Sequence, residues 1–161
     1  CLAKNGRNHF PSLAKKVLEN KRFIFRCLPI VEQDKSEDGW TEKWHSTISE
    51  KVECVFVPKL LRLPADCQFY TLSDVLDHFE GSNGMKFANQ QHLEALLKEQ
   101  ERIPADWSKF ILVAINTIWV DDKGLARVPC LTYKEKWSLV FHRFSHEINR
   151  RYKILGLGKF R

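Results

Sequence analysis

Three strand-like segments in the last third of the chain, joined by very short turns, constrain the fold more than any other feature. Each segment is rich in apolar, β-branched and aromatic residues, which is typical of strands. The segments are Lys109–Val120, Leu125–Tyr133 and Trp137–Phe144, and the turns between them are Asp121–Gly124 and Lys134–Lys136. Because connections of this length join antiparallel neighbours, the pattern predicts a three-stranded antiparallel meander. Pro129 cannot donate a ladder hydrogen bond, so it predicts an edge or a bulge.

Two earlier segments have the same character. Arg22–Val31 is apolar and aromatic, and Thr47–Val57 places apolar residues at even-numbered positions between polar ones. That alternation is typical of a half-buried antiparallel strand. The polar, turn-rich stretch Glu32–Trp44 lies between them, so we predict that the two strands form an N-terminal hairpin across this long loop.

Helical patterns occupy three places. A short one runs from Pro11 to Asn20, a second ends at Phe79 and begins at Thr71 or Ser73 as its cap, and a longer one spans Asn89 to Arg102. The longest has a leucine stripe at helical spacing, and its charged residues are predicted to face water. These charged residues are Glu94, Lys98, Glu99 and Glu101. Strands and helices in this order predict an α+β fold with an antiparallel sheet and two or three helices.

Length and composition set the class of protein. A chain of 161 residues with 43% hydrophobic and 29% charged residues fits one domain spanning 1–161 and excludes collagen and simple disorder. Apolar runs never reach 18 residues, so no membrane contact is expected. The five cysteines form no Cys-x-x-Cys pair, which favours reduced thiols in a cytoplasmic protein with no metal and no cofactor. Cys27, Cys54 and Cys130 are interpreted as core residues, and Lys153–Gly158 as part of a flexible tail.

Charge divides the chain into three parts. Residues 1–31 carry 7 basic and 1 acidic residue, residues 32–106 carry 8 and 15, and residues 107–161 carry 11 and 4. Two basic ends therefore flank an acidic middle, and basic ends that meet in space suit phosphate groups. The leading prediction is a small, soluble, basic protein that binds nucleic acid without catalysis. The candidate residues are Lys15, Lys16, Arg143, Arg150, Arg151 and Lys153, with Tyr152 as a ring that stacks on a base.

Two alternatives remain open, and whether the protein is an enzyme stays undecided. His142 and His146 lie four residues apart beside several arginines. Two imidazoles with pKa values near neutrality suit a metal-independent ribonuclease or toxin domain, in which one acts as base and the other as acid.

The second alternative is a protein-interaction module. Trp40 and Trp44 lie in a charged segment that offers little core of its own. Exposed tryptophans are typical anchors for a protein partner. The opposing interpretation is that this loop folds back and covers both rings. The sequence does not indicate an oligomeric state.

Overall fold

The computed structural model describes residues 23–27, 31–45, 55–61, 71–79, 86–145 and 147–158. Within these ranges it contains eight strands and two α-helices. The strands are β1 (Phe25–Arg26), β2 (Thr41–His45), β3 (Val55–Leu61), β4 (Ile111–Val113), β5 (Thr117–Val120), β6 (Ala126–Lys134), β7 (Lys136–Arg143) and β8 (Tyr152–Gly158). The helices are α1 (Leu72–Phe79) and α2 (Gln90–Lys98), and 3₁₀ turns cover Lys35–Asp38, Gln100–Arg102 and Ala105–Lys109.

All eight strands belong to one sheet with the order β1–β3–β8–β4–β6–β5–β2, and β7 pairs with the other edge of β6. The predicted meander is confirmed, since β6 pairs antiparallel with β4, β5 and β7. The early pairing is also found, with Phe25 opposite Phe56 and Arg26 opposite Val55. These strands do not form a simple hairpin, because the segment between them in the chain contains β2, which pairs with β5.

The prediction of a purely antiparallel sheet is wrong. β8 returns beside β4 in the parallel direction, with Ile111 opposite Tyr152 and Leu112 opposite Lys153, so the sheet is mixed. β8 also pairs antiparallel with β3 and therefore lies inside the sheet. The interpretation of Lys153–Gly158 as a flexible tail fails for the same reason.

Gly156 shows why the last strand is hard to recognise from its sequence. A Cβ atom at this position would lie 2.9 Å from the side chain of Leu61, closer than real contacts allow. Gly156 pairs with Lys59 on one side and bridges Phe87 on the other. Glycine normally weakens a strand, and at this position it permits an approach of Leu61 that is too close for a residue with a Cβ atom.

The predicted strand Lys109–Val120 is interrupted in the middle. Five residues, 114–118, lie between Val113 and Trp119, whereas only Val128 and Pro129 lie between their partners on β6. Pro129 faces this interruption, and its carbonyl accepts a hydrogen bond from Ala114 N at 3.1 Å. An interior strand tolerates proline here because the opposite strand has left the regular ladder.

The two helices cover opposite faces of the sheet. Leu93 and Leu96 of α2 belong to the same core as Leu131 and Leu155 of the sheet. Leu72 and Val75 of α1 belong to a second core, with Cys130 and Ile154, which directly precede those two sheet leucines in the chain, and with Val113. Neighbouring residues of a strand face opposite sides, so the result is three layers, helix–sheet–helix.

The cap of α1 at Thr71 agrees with the prediction, and α2 begins at the predicted residue, Asn89, with a cap of the same kind. Thr71 Oγ1 accepts from Asp74 N at 3.2 Å while Asp74 accepts from Thr71 N at 2.9 Å. Asn89 and His92 make the equivalent reciprocal pair at α2. In the described parts of the chain, neither helix is long and apolar enough to cross a membrane.

Candidate functional site

Two lysines from different segments meet on one aromatic ring at the end of the sheet. The ammonium groups of Lys109 and Lys153 each lie 5.1 Å from the ring centroid of Phe110. The Phe110 ring is half-buried against the α2-side core, and Lys109 is exposed. Cations at this distance are attracted by the electron density of the ring face.

The parallel pairing of β4 and β8 creates this meeting point. Ile111 N donates to Arg151 O at 2.7 Å, which sets the start of β8 directly beside the start of β4. Arg151 Nε lies 3.5 Å from Lys109 O, so a third cation joins the two lysines. Asn149 shapes the preceding turn, since its side chain accepts from Arg151 N at 2.8 Å. We call Lys109, Phe110, Arg151 and Lys153 the Phe110 cluster, and we include the exposed Arg150 because it directly precedes Arg151 in the chain.

The basic side chains of this cluster are exposed or half-buried. Arg150 and Arg151 are exposed, and within the described ranges none of the four cations has a carboxylate within ion-pair distance. Asp106 is an exposed carboxylate in the same 3₁₀ turn as Lys109, but no ion pair joins the two side chains. A local excess of positive charge beside a ring is what a phosphate-bearing strand requires.

Other predicted phosphate-binding residues lie elsewhere. Arg143 is exposed at the end of β7, opposite Arg127, and Lys15 and Lys16 lie outside the described residues. Arg26 is the one basic residue of the N-terminal 31 that the structure describes. It pairs at the start of β3, whereas the start of β8 pairs at the end of β3. Arg26 and the Phe110 cluster therefore occupy opposite ends of the sheet.

Tyr152 and His142 form a separate, mostly internal contact. Tyr152 is 5% exposed, and its hydroxyl lies 3.1 Å from His142 Nδ1. Burial raises the pKa of the Tyr152 phenol above its usual value. In this conformation the Tyr152 ring packs in the core and is not presented to a base. His146, the second histidine of the ribonuclease hypothesis, lies outside the described residues.

Cys130 is a core residue of the same region. It is fully buried, and burial raises the pKa of its thiol to about 12. A thiol with such a pKa is protonated at neutral pH and is a poor nucleophile. Groups of three or more His, Cys, Asp or Glu side chains that might hold a metal are not found among the described residues.

Trp40 lies in a second cation–aromatic arrangement on the α2 side. Its ring meets Phe141 edge-on at 5.5 Å, with Lys35 Nζ 4.4 Å and Arg127 Cζ 5.6 Å from its centroid. Trp40 is half-buried, and Lys35 from its own segment, residues 31–40, lies over its ring. We call this segment the Trp40 loop. We call Lys35, Trp40, Arg127 and Phe141 the Trp40 cluster. Trp44 lies in β2 opposite Ile118, and its side chain is outside the described set.

Both cations of the Trp40 cluster are paired with carboxylates. Lys35 Nζ lies 2.5 Å from Asp38, and Arg127 Nε lies 2.8 Å from Asp121. The Arg127 guanidinium and the backbone N–H of Leu125 hold the pKa of Asp121 below its usual value.

A buried polar network fastens the Trp40 loop to α2, and sequence reasoning missed it. The prediction that Glu94 faces water is wrong, since this residue is only 5% exposed. Its carboxylate accepts from Glu32 N at 2.9 Å and from Gln33 N at 2.7 Å. Gln90 continues the network, since its amide donates to Gln33 O and accepts from Trp119 Nε1, each at 2.7 Å. Helical periodicity placed Glu94 beside the leucine stripe but carried no information on the loop above it.

Comparison with protein-family models, curated proteins and solved structures gives no match. Of the predicted phosphate-binding residues, Arg150, Arg151 and Lys153 lie in one cluster, and the structure adds Lys109 and Phe110. These two were missed because they belong to an apolar run and become part of a basic cluster only through the pairing with β8.

Proposed function

We propose that this protein binds single-stranded nucleic acid, without cleaving it, through the Phe110 cluster. The observation that carries the proposal is the convergence of Lys109, from the 3₁₀ turn before β4, and Lys153, from β8, at 5.1 Å from the same ring. Phosphates of a strand replace the ring as partners of the ammonium groups, and the ring then offers its face to a base. A duplex would hide its bases in the stack, so a half-buried ring favours a single strand.

Charge density supports the same proposal. Four cations lie at one end of the sheet, and in the described parts of the chain none is neutralised by a carboxylate. Each phosphate contact releases counterions, so binding has to weaken as salt rises, by about 0.7 in log Kd per tenfold salt for each contact with a single strand.

The test is fluorescence anisotropy with labelled 20-mers of U and dT, over a range of salt, using the full chain. The variant Lys109→Glu/Lys153→Glu is expected to weaken binding at low salt about 10-fold or more, since two phosphate contacts become repulsive. The control Lys86→Glu/Lys123→Glu changes the net charge equally at two exposed lysines outside the cluster. It is expected to weaken binding less than about twofold.

Equal losses of affinity in the two double variants would show that binding depends on net charge alone, and would overturn the proposal. So would the absence of salt-dependent binding by the wild-type chain. The same mixtures, examined on a gel, test cleavage. Loss of the U 20-mer in the wild type but not in His142→Ala or His146→Ala would favour the ribonuclease hypothesis instead.

A further inference from the structure

A cavity of about 370 Å³ lies between the β6–β7 hairpin and two 3₁₀ turns. Its size falls within the range of about 300–1,000 Å³ that is usual for small-ligand sites. The side chains around it are aromatic, aliphatic, carboxylate, amide, hydroxyl and ammonium groups. The lining includes Glu101, Ser108, Tyr133, Glu135, Lys136 and Trp137.

Two aromatic rings form one wall of the cavity. Tyr133 is 43% exposed, and its ring meets that of Trp137 at 5.5 Å and 66°. Trp137 is buried, and its backbone N donates to Gln100 Oε1 at 3.1 Å. The wall is therefore fixed from behind, while the Tyr133 ring stays open to a planar ligand. A ring in this setting is a stacking platform for a base.

Acceptors and donors around the cavity select among the bases. Glu101 and Glu135 bring carboxylates, and Lys136 brings one ammonium group. A carboxylate accepts two parallel N–H groups, and guanine is the base whose pairing edge presents two adjacent N–H donors. Its O6 and N7 atoms are the acceptors that lysine prefers. Adenine, cytosine and uracil each present fewer donors on that edge.

The cavity adjoins the Phe110 cluster along the chain. Ser108 lines the cavity, and Lys109 and Phe110 follow it directly. A strand whose phosphates lie on Lys109 and Lys153 thus has a base site next to it. We infer that this cavity binds a guanine base of the bound strand, an inference that rests on the proposed function for the strand itself.

The test compares the binding of a U 10-mer with that of the same 10-mer carrying one central G. The wild type is expected to bind the G-containing strand about fivefold more tightly, as one bidentate contact to a base provides. Glu101→Gln and Glu135→Gln are measured separately, and in at least one the preference is expected to fall below about twofold, with unchanged affinity for the U 10-mer. The control Asp106→Asn removes an exposed carboxylate of the same turn as Ser108 that does not itself line the cavity, and it is expected to keep the preference.

Binding of free guanosine distinguishes a guanine site in the cavity from strand binding by the Phe110 cluster. Its binding, followed by quenching of tryptophan fluorescence, does not need the phosphate contacts and is expected to exceed that of adenosine. Binding of the U 10-mer without any preference for G would overturn the inference and leave the proposed function intact. Guanosine binding that is lost in a cavity variant, in a chain that binds no strand, would support the cavity and overturn the proposed function. Retention of the preference in both Gln variants would overturn the inference.

Discussion

The Phe110 and Trp40 clusters are built from similar parts and differ in the charges around them. In each, two cations approach one half-buried aromatic ring, at 5.1 Å for Phe110 and at 4.4 and 5.6 Å for Trp40. At Trp40 both cations are paired with carboxylates, whereas within the described residues those at Phe110 are not. Paired cations hold a loop in place, and unpaired cations remain available to an anion. The comparison teaches that the counter-charge, not the cation–ring contact, distinguishes a structural cluster from a candidate binding surface.

The largest expected effect concerns the attachment of the Trp40 loop. Glu94→Ala removes the acceptor of two backbone N–H groups, those of Glu32 and Gln33. We expect the free energy of unfolding to fall by about 3 kcal/mol, because two hydrogen bonds to a buried carboxylate are lost, at about 1.5 kcal/mol each. Urea unfolding measures this change.

Two variants control that experiment. Glu94→Gln keeps one acceptor oxygen and should lose less stability than Glu94→Ala. Glu99→Ala removes an exposed carboxylate that pairs with Arg102, and it should cost no more than about 1 kcal/mol. A Glu94→Ala protein as stable as Glu99→Ala would contradict a structural role for this network.

Removing the second ring should affect stability and not binding. Trp40→Ala is expected to lower the free energy of unfolding by about 2 kcal/mol, roughly half the cost at a fully buried tryptophan. Affinity of the folded protein for the U 20-mer should stay within about twofold. Trp40→Phe keeps a ring against Phe141 and should lose less stability. Weaker strand binding in Trp40→Ala at unchanged stability would assign the binding surface to the Trp40 cluster instead.

Acid should weaken the Trp40 cluster selectively. The pKa of Asp121 is below its ordinary value of 3.8, chiefly because Arg127 hydrogen-bonds to it. The carboxylate therefore contributes stability that is present above about pH 4 and is lost as the pH falls through the lowered pKa. Urea unfolding between pH 5 and pH 2 should show a steeper loss in the wild type than in Asp121→Asn. Identical slopes would contradict the assignment.

The smallest expected change in stability is at the Phe110 cluster. Lys109→Ala and Lys153→Ala should each alter the free energy of unfolding by no more than about 0.5 kcal/mol, since both are cations without an ion pair. The combined variant Lys109→Ala/Lys153→Ala should nevertheless lower the slope of log Kd against log salt by about 1.4, or about 0.7 for each lost contact. A large loss of stability with an unchanged salt slope would make this cluster structural and remove the contrast with Trp40.

Local features of the chain were predictable to a large extent. The meander followed from short turns between apolar runs, the cap of α1 from the side chain of Thr71, and the position of α2 from its leucine stripe. These features depend on neighbours a few residues apart, which the sequence displays directly. The candidate site was predictable only in part, since Arg150, Arg151 and Lys153 stand together in the chain and Lys109 and Phe110 do not.

By itself, the sequence determined the meander, the cap of α1, the layout of charge and the basic character of the residues before β8. Tertiary structure alone decided that β8 runs parallel to β4, that Glu94 is buried under a loop and that Lys109 and Lys153 share one ring. Each of these depends on segments more than 40 residues apart in the chain. Periodicity reports which face of an element is apolar, but the partner of that face is chosen by packing over the whole fold.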